Sequence, residues 1–373
     1  MKLRRRALIQ WAGAAAVSPA AWAAPPTTGR PVFVLGQSAP LTGTASEIGL
    51  AFAAGAKLYV DGFNQRPDAP VRVELRQLDD GYVAEKAGAN ARQLLAEGAD
   101  ALFGFVGTAS SLAAAAIAKA QGAVLFAPFA APDSLRDAAH PNVFLVRPSM
   151  ADEAFKMVQH CATLGLTRIA VVGEDDAMGR AGVEAVNRAL KELKLPPVAT
   201  AFMPSQSKQV DAAVATVQAA QPQAVIQAAL FQSTAAFIQK MRKTGYAGAF
   251  LNFSAVGIDP LYIALDKDIG GVVVSQVVPS PRSRATPIVR EYLAAIEQSD
   301  LSPGYEGLEG FIAAKAICEA ARRGGRGPTL ARTLAGMTTY DVGGFRLNLR
   351  AGVREATSAI DLVSITADGR VIR

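Results

Sequence analysis

The chain reads as an α/β protein: two doubly wound parallel-sheet lobes joined by a three-stranded hinge. Three observations predict this. Short apolar strands alternate with helices from Val32 to Phe253, the pattern of a parallel sheet wrapped on both faces. The alternation begins afresh near Arg168, so a second lobe is expected. The last quarter holds helices with too few strands for a sheet of its own, so it completes the two lobes already begun.

Val32-Phe-Val-Leu-Gly36 is a continuous apolar run and the first strand, followed by a helix over 46–64. Val71, Val73 and Leu75 alternate with Arg72, Glu74 and Arg76, the two-residue period of a half-exposed strand. Helix 83–97, strand Ala101–Phe105, helix 110–121, strand Ala123–Ala127 and strand Asn142–Val146 continue the series. A helix from about Ala151 then leads to the second run. Its members are strand Arg168–Gly173, helix 179–194, strand 198–203, helix 208–220, strand Ala224–Ala229, helix 233–244 and strand Ala249–Phe253. Gly270–Pro279 is an apolar strand ending at a Pro-rich turn, and helices over 286–298, 306–323 and 329–336 follow it. Phe345–Leu349 precedes a closing hairpin, Asp361–Thr366 and Arg370–Ile372, around Ala367-Asp-Gly369. Three crossings result, near Arg147, Val278 and Gly343. They divide the chain into a first lobe of 24–147 plus 279–342 and a second of 148–278 plus 343–373.

Residues 1–23 stand apart. Lys2, Arg4, Arg5 and Arg6 precede an apolar, Ala-rich run from Ala7 to Val17, and Ala21 and Ala23 supply the small residues that a signal peptidase cuts after. The run is shorter than the roughly 20 apolar residues that span a bilayer. Cleavage after Ala23 and a periplasmic address are expected. Arg5-Arg6-Ala7-Leu8-Ile9 suits a twin-arginine route, and the same arginines suit the ordinary secretory route. No cysteine stands at the cleavage point to take a lipid anchor.

Composition excludes several functions. The formal charge of +6 includes four basic and no acidic residues in the leader, so the mature chain is near +2. Its remaining cations are dispersed, which argues against nucleic acid as a partner. His140 and His160 are the only histidines and Cys161 and Cys318 the only cysteines. Neither pair has a metal-ligand spacing or supplies a nucleophile with its base, so no cofactor, metal or catalytic residue is expected. The cysteines sit in predicted helices and read as buried free thiols. Asp79-Asp80 and Asp175-Asp176 each follow a strand at a turn, where aspartate caps helices. Gly104-Phe-Val-Gly107 is too short for a dinucleotide fingerprint.

An internal echo points to a site. Residues 101–127 run strand, Thr108 to Ser111, Ala-rich helix, Gly-Ala and apolar strand; residues 224–253 repeat this with Ser233-Thr234. In open parallel sheets ligands bind beyond the carboxyl ends of the strands, where unpaired N–H groups at helix starts suit an anion. Singly, Ser110, Ser111, Ser233 and Thr234 read equally as helix caps. Doubled across a cleft, they point to one ligand held between two rims.

Several segments also carry a likeness: Gly36-Gln-Ser-Ala-Pro-Leu-Thr-Gly43, Leu78-Asp-Asp-Gly-Tyr82, Phe103-Gly-Phe-Val-Gly-Thr108, Pro128-Phe129 and Val143–Ser149. Gly271-Val-Val-Val-Ser-Gln-Val-Val-Pro279, Leu308-Glu-Gly-Phe311 and Tyr340-Asp-Val-Gly-Gly344 follow in order. Together they resemble the type I periplasmic substrate-binding proteins of ABC importers, of the Leu/Ile/Val- and amide-binding kind. The resemblance implies the hinged clamshell of that family and a ligand carboxylate held at the turn through Val106, Gly107 and Thr108. Backbone groups of Phe129, Ala130 and Ala131 would assist, and Ser38 and Leu41 would wall the site. Met150 stands where relatives often have tyrosine, Leu230 and Phe231 form the second lobe's rim, and Tyr305 would cap the cleft. Ser254 occupies the position of the carboxylate that holds an amino acid's ammonium in relatives, and it carries no charge. The ligand implied is therefore a small polar or carboxylate-bearing molecule with an apolar body, an aromatic acid among the candidates. A monomeric solute-binding protein that serves membrane permease subunits is the function expected, and a periplasmic sensing module is the alternative.

Overall fold

Both lobes are organised around a strand whose residues are buried on both faces, which is why their sequences read as unbroken apolar runs. A computed structural model describes residues 29–130, 132–137, 139–350, 357, 359–366, 371 and 372. The expected leader with its cleavage point and the turn expected over 367–369 lie outside the described residues.

In the first sheet β1 (Val32–Ala39) lies between β2 (Arg72–Asp79) and β3 (Ala101–Phe103), with β4 (Leu125–Phe126) and β5 (Val143–Phe144) beyond β3, all parallel. The second sheet repeats this order. Its β6 (Ile169–Glu174) lies between β7 (Ala199–Met203) and β8 (Ala224–Ala228), followed by β9 (Ala249–Asn252) and β10 (Val272–Gln276). A short ribbon, β11 (Tyr340–Asp341) with β12 (Arg346–Leu347), precedes the final hairpin of β13 (Asp361–Ile365) and β14 (Val371–Ile372). β13 runs antiparallel along β10 and β14 along β13, so the second sheet ends in an antiparallel edge.

The helices are α1 (Ser46–Asn64), α2 (Ala84–Ala96), α3 (Thr108–Gln121), α4 (Met150–Thr163), α5 (Ala177–Glu192) and α6 (Asp211–Ala219). They continue as α7 (Phe231–Lys243), α8 (Ile258–Leu265), α9 (Pro287–Ile296), α10 (Tyr305–Arg322) and α11 (Leu330–Ala335). The sequence does not announce α8. Its apolar residues are nearly continuous, which hides the helical period, and Pro260 reads as a break although proline is tolerated in a first turn.

The last quarter returns to the first lobe through α10, which lies on α1 with the two backbones in contact. A side-chain carbon on Gly55 would stand 1.8 Å from the Gly307 carbonyl oxygen, and one on Gly310 would stand 2.0 Å from that of Phe52. Around this seam Phe311 packs its ring against Tyr59 at 5.1 Å and Tyr292 of α9 at 5.4 Å. The Ile288 N–H donates to Gly343 O at 2.9 Å and the Leu349 N–H to Met337 O at 3.3 Å, which ties residues 340–349 to α9 and to the turn after α11. The described residues from Pro31 onward form one compact unit.

Candidate functional site

The loops that leave the carboxyl ends of β3, β4, β8 and β9 converge on one cavity with about 460 Å³ of atom-free space, its opening to solvent included. It lies where the strand order reverses in each sheet, the place where parallel sheets bind ligands. Ile48, Tyr82, Val106, Gly107, Thr108, Phe129 and Ala130 wall it from the first lobe. Met150, Glu153, Met178, Leu230, Phe253 and Ala255 wall it from the second, and Arg147 stands between.

Two chain segments shape the first-lobe wall. Val106 and Phe129 form a parallel bridge beyond the formal strands, with the Phe129 N–H donating to Phe105 O at 2.7 Å and the Gly107 N–H to Phe129 O at 3.2 Å. Gly107 then turns the chain into α3 at φ 97°, ψ 148°, a conformation that only glycine holds without strain. A side-chain carbon there would stand 2.6 Å from the Tyr82 ring, so the glycine also admits that tyrosine to the wall. The first turn of α3 leaves its N–H groups unpaired within the helix. Thr108 Oγ1 is buried and has no hydrogen-bond partner among the described residues.

The charged part of the wall centres on Arg147, 2% exposed. Its guanidinium lies over the Phe129 ring, 4.4 Å from the centroid. Nη2 donates to Ser254 Oγ and stands 3.9 Å from Glu153 Oε1, and Nε stands 3.7 Å from Glu309 Oε1. Glu153 Oε2 accepts from the Ser254 N–H at 2.8 Å and from the Ser275 hydroxyl. Taking three charges out of water costs several kcal/mol each unless they compensate one another, and here one cation sits among two carboxyls. Burial pushes Glu309 up to about 7, opposed by Arg147 and reinforced by Glu153. Arg136 donates to the Arg147 carbonyl at 2.7 Å; burial lowers its own guanidinium to about 10. The turn that carries Arg147 is fixed by a capping box at α4, where Ser149 Oγ accepts from the Asp152 N–H and Asp152 accepts from the Ser149 N–H.

Of the residues expected at the site, Val106, Gly107, Thr108, Phe129, Ala130, Met150 and Leu230 line the cavity. Ala131 lies outside the described residues. Ser38 is not in the lining: its hydroxyl donates to Asp80 at 2.7 Å and accepts from Asn90 at 3.0 Å. Leu41 and Phe231 are half-buried and pack on the core instead. Tyr305 is buried at the start of α10, outside the lining. Ser254 stands behind the wall, bonded to Arg147, between Phe253 and Ala255, which do face the cavity. Ser233 is likewise committed, donating to Glu174 at 2.6 Å and accepting from the Ser207 N–H at 3.0 Å. Asp176 caps α5 through the Gly179 N–H. Asp79 accepts from Thr42, Leu41 and Gly81, and the Thr42 hydroxyl foremost holds it down to about 2.

Arg147, Glu153, Tyr82, Ile48, Met178, Phe253 and Ala255 were not foreseen. Arg147 carried one signal, a lone cation closing the apolar run Val143-Phe-Leu-Val146. Among the described residues no cluster of acids, histidines and cysteines is arranged to hold a metal.

The family model for periplasmic binding proteins matches residues 33–370. The chain belongs to that family. It is a type I periplasmic binding protein of the Leu/Ile/Val-binding kind, a family of solute binders and not of enzymes. This periplasmic binding protein is 24% identical over 310 residues to Leu/Ile/Val-binding protein homolog 7 of Brucella abortus, covering 77% of this chain and 76% of that one. A substrate-binding periplasmic protein from Ralstonia solanacearum superposes with a TM-score of 0.84 at 30% identity, over 91% of this chain and 99% of the other. A Rhodopirellula baltica structure described as "a possible leucine/isoleucine/valine-binding protein" gives 0.85 at 26% identity, over 92% and 97%.

Proposed function

We propose that this periplasmic binding protein is the solute-capturing component of an ABC importer. It takes a small carboxylate-bearing molecule with an apolar body between its lobes and presents it to membrane permease subunits. The observation that carries the reading is the composition of the cavity. The unpaired start of α3, Thr108 and Arg147 offer donors to a polar head, while Phe129, Met150, Met178, Leu230 and Phe253 offer an apolar bed. That mixture is the ordinary make-up of a small-molecule site. Aromatic acids suit it, and branched-chain amino acids suit it less, because Ser254 gives an ammonium no charge to pair with.

Ligand acts by favouring the closed arrangement of the lobes. In support of that, Arg188 of α5 pairs with Asp133 of the first lobe, and Ile48 lies 3.6 Å from the side-chain position of Gly257. The hinge of this proposal has crossings near Arg147 and near Val278, with a third that the bonds of Gly343 to α9 and of Leu349 to Met337 support placing beyond Leu349. The working protein is a monomer in the periplasm, beginning at Ala24 after signal cleavage, by either export route. Native mass spectrometry of protein purified from a periplasm should show a co-purified small acid. Calorimetric binding of leucine at micromolar or tighter affinity would overturn the ligand class.

A further inference from the structure

We infer that Arg147 selects the ligand's head group, and that the site takes an organic monocarboxylate without an α-ammonium. This rests on the cavity being a solute site and narrows the solute. The guanidinium is fully buried at the cavity wall, one face against Phe129. Nη2 is committed to Ser254, whereas Nη1 has no hydrogen-bond partner among the described residues. Buried guanidinium donors are seldom left unmet, because an unpaired one forfeits its hydration for nothing. Thr108 Oγ1, buried in the same cavity's first-lobe wall, is also unmet. A ligand carboxylate supplies what both lack: a charge-assisted acceptor for the guanidinium and a partner for the hydroxyl.

An ammonium finds no such welcome. Glu153 Oε2 already accepts from the Ser254 N–H and the Ser275 hydroxyl, and Oε1 faces Arg147. Ser254 Oγ is taken by the same guanidinium. Glu153 Oε1 stands 3.9 Å from Arg147, so an ammonium drawn to it would lie beside the guanidinium, and like charges brought together cost affinity.

The test compares each amino acid with the acid that lacks its amino group: L-leucine with isocaproate, and L-phenylalanine with hydrocinnamate. Each is titrated calorimetrically into the mature protein after denaturant removal of bound solute and refolding. The wild type should bind the acids about tenfold or more tightly than the amino acids. Arg147→Met should weaken acid binding about 30-fold or more. Because that change leaves Glu153 and Glu309 without their cation, R147K and the R147M/E309Q pair are measured beside it. R147K keeps the charge but not the planar fork, and should lose less than R147M. Equal or tighter binding of the amino acids, or unchanged acid binding by folded R147M or R147M/E309Q, overturns the inference and leaves the solute reading standing. Binding of none of the four also overturns it; if native mass spectra then show no co-purified solute, the solute reading falls too.

Discussion

Replacing Gly107 by alanine should damage stability and binding together, for two separable reasons. The backbone there has φ 97° and ψ 148°, a region that costs a residue with a side chain about 1–3 kcal/mol. The added carbon would also stand 2.6 Å from Tyr82 Cε2, so the ring must leave the cavity wall. At roughly 2–4 °C per kcal/mol for domains of this size, the melting temperature should fall by about 2–12 °C. Gly122 provides the control. It ends α3 at φ 65°, ψ 19°, with nothing within 4 Å of its side-chain position. Gly122→Ala carries only the backbone term, about 1–2 kcal/mol, and should leave binding unchanged. Thermal melts by circular dichroism and calorimetry with hydrocinnamate measure both effects. If G107A melts no lower than G122A and binds as the wild type does, the account of the Gly107–Tyr82 contact is wrong.

Two further outcomes are expected. Glu309 ionises near 4.5 in the unfolded chain, but burial holds its proton to about 7 in the folded one. Its contribution is therefore complete below pH 4.5 and fades as pH rises to 7. Glu309→Gln keeps the shape of the neutral form and should flatten that fall by about 1–3 kcal/mol; urea melts at the two ends of the window that keep the wild-type difference would contradict it. Cys161 and Cys318 are both buried and free, and burial pushes the Cys161 thiol up to about 12. A thiol reagent should leave the native protein unlabelled and modify both cysteines in urea, whereas rapid labelling of either in the native state would show that its helix face is not packed.

What could be read in the chain beforehand divides along physical lines. Strands such as Val32–Gly36 and Ala224–Ala229 declare themselves because sequence-local burial on both faces needs only apolar residues. The turn at Val106–Thr108 was legible for a similar reason: a glycine before a hydroxyl at a helix start is a local signal. Arg147 was not, because its burial depends on Glu153 and on Glu309, 162 positions away. Glu153 reads as the polar side of an amphipathic helix until Ser254 and Ser275 are brought beside it. Ser254 lies behind the cavity wall with its hydroxyl spent on Arg147, a pairing between residues 107 positions apart that no local pattern announces. Ile48, Met178 and Phe253 illustrate the remaining difficulty, since an apolar side chain lining a cavity has the same local pattern as one filling a core.

The glycine seam between α1 and α10 bears on how the polypeptide matures. Ala56 and Tyr59 find their cover on a helix encoded some 250 residues later. A nascent chain that has not yet delivered Tyr305–Arg322 keeps that greasy strip bare, while the second lobe's parallel strands, whose parallel partners all lie within 169–276, can already assemble. The amino-terminal half thus has to wait for the carboxyl-terminal quarter, and during that interval its bare apolar surface is open to non-native association.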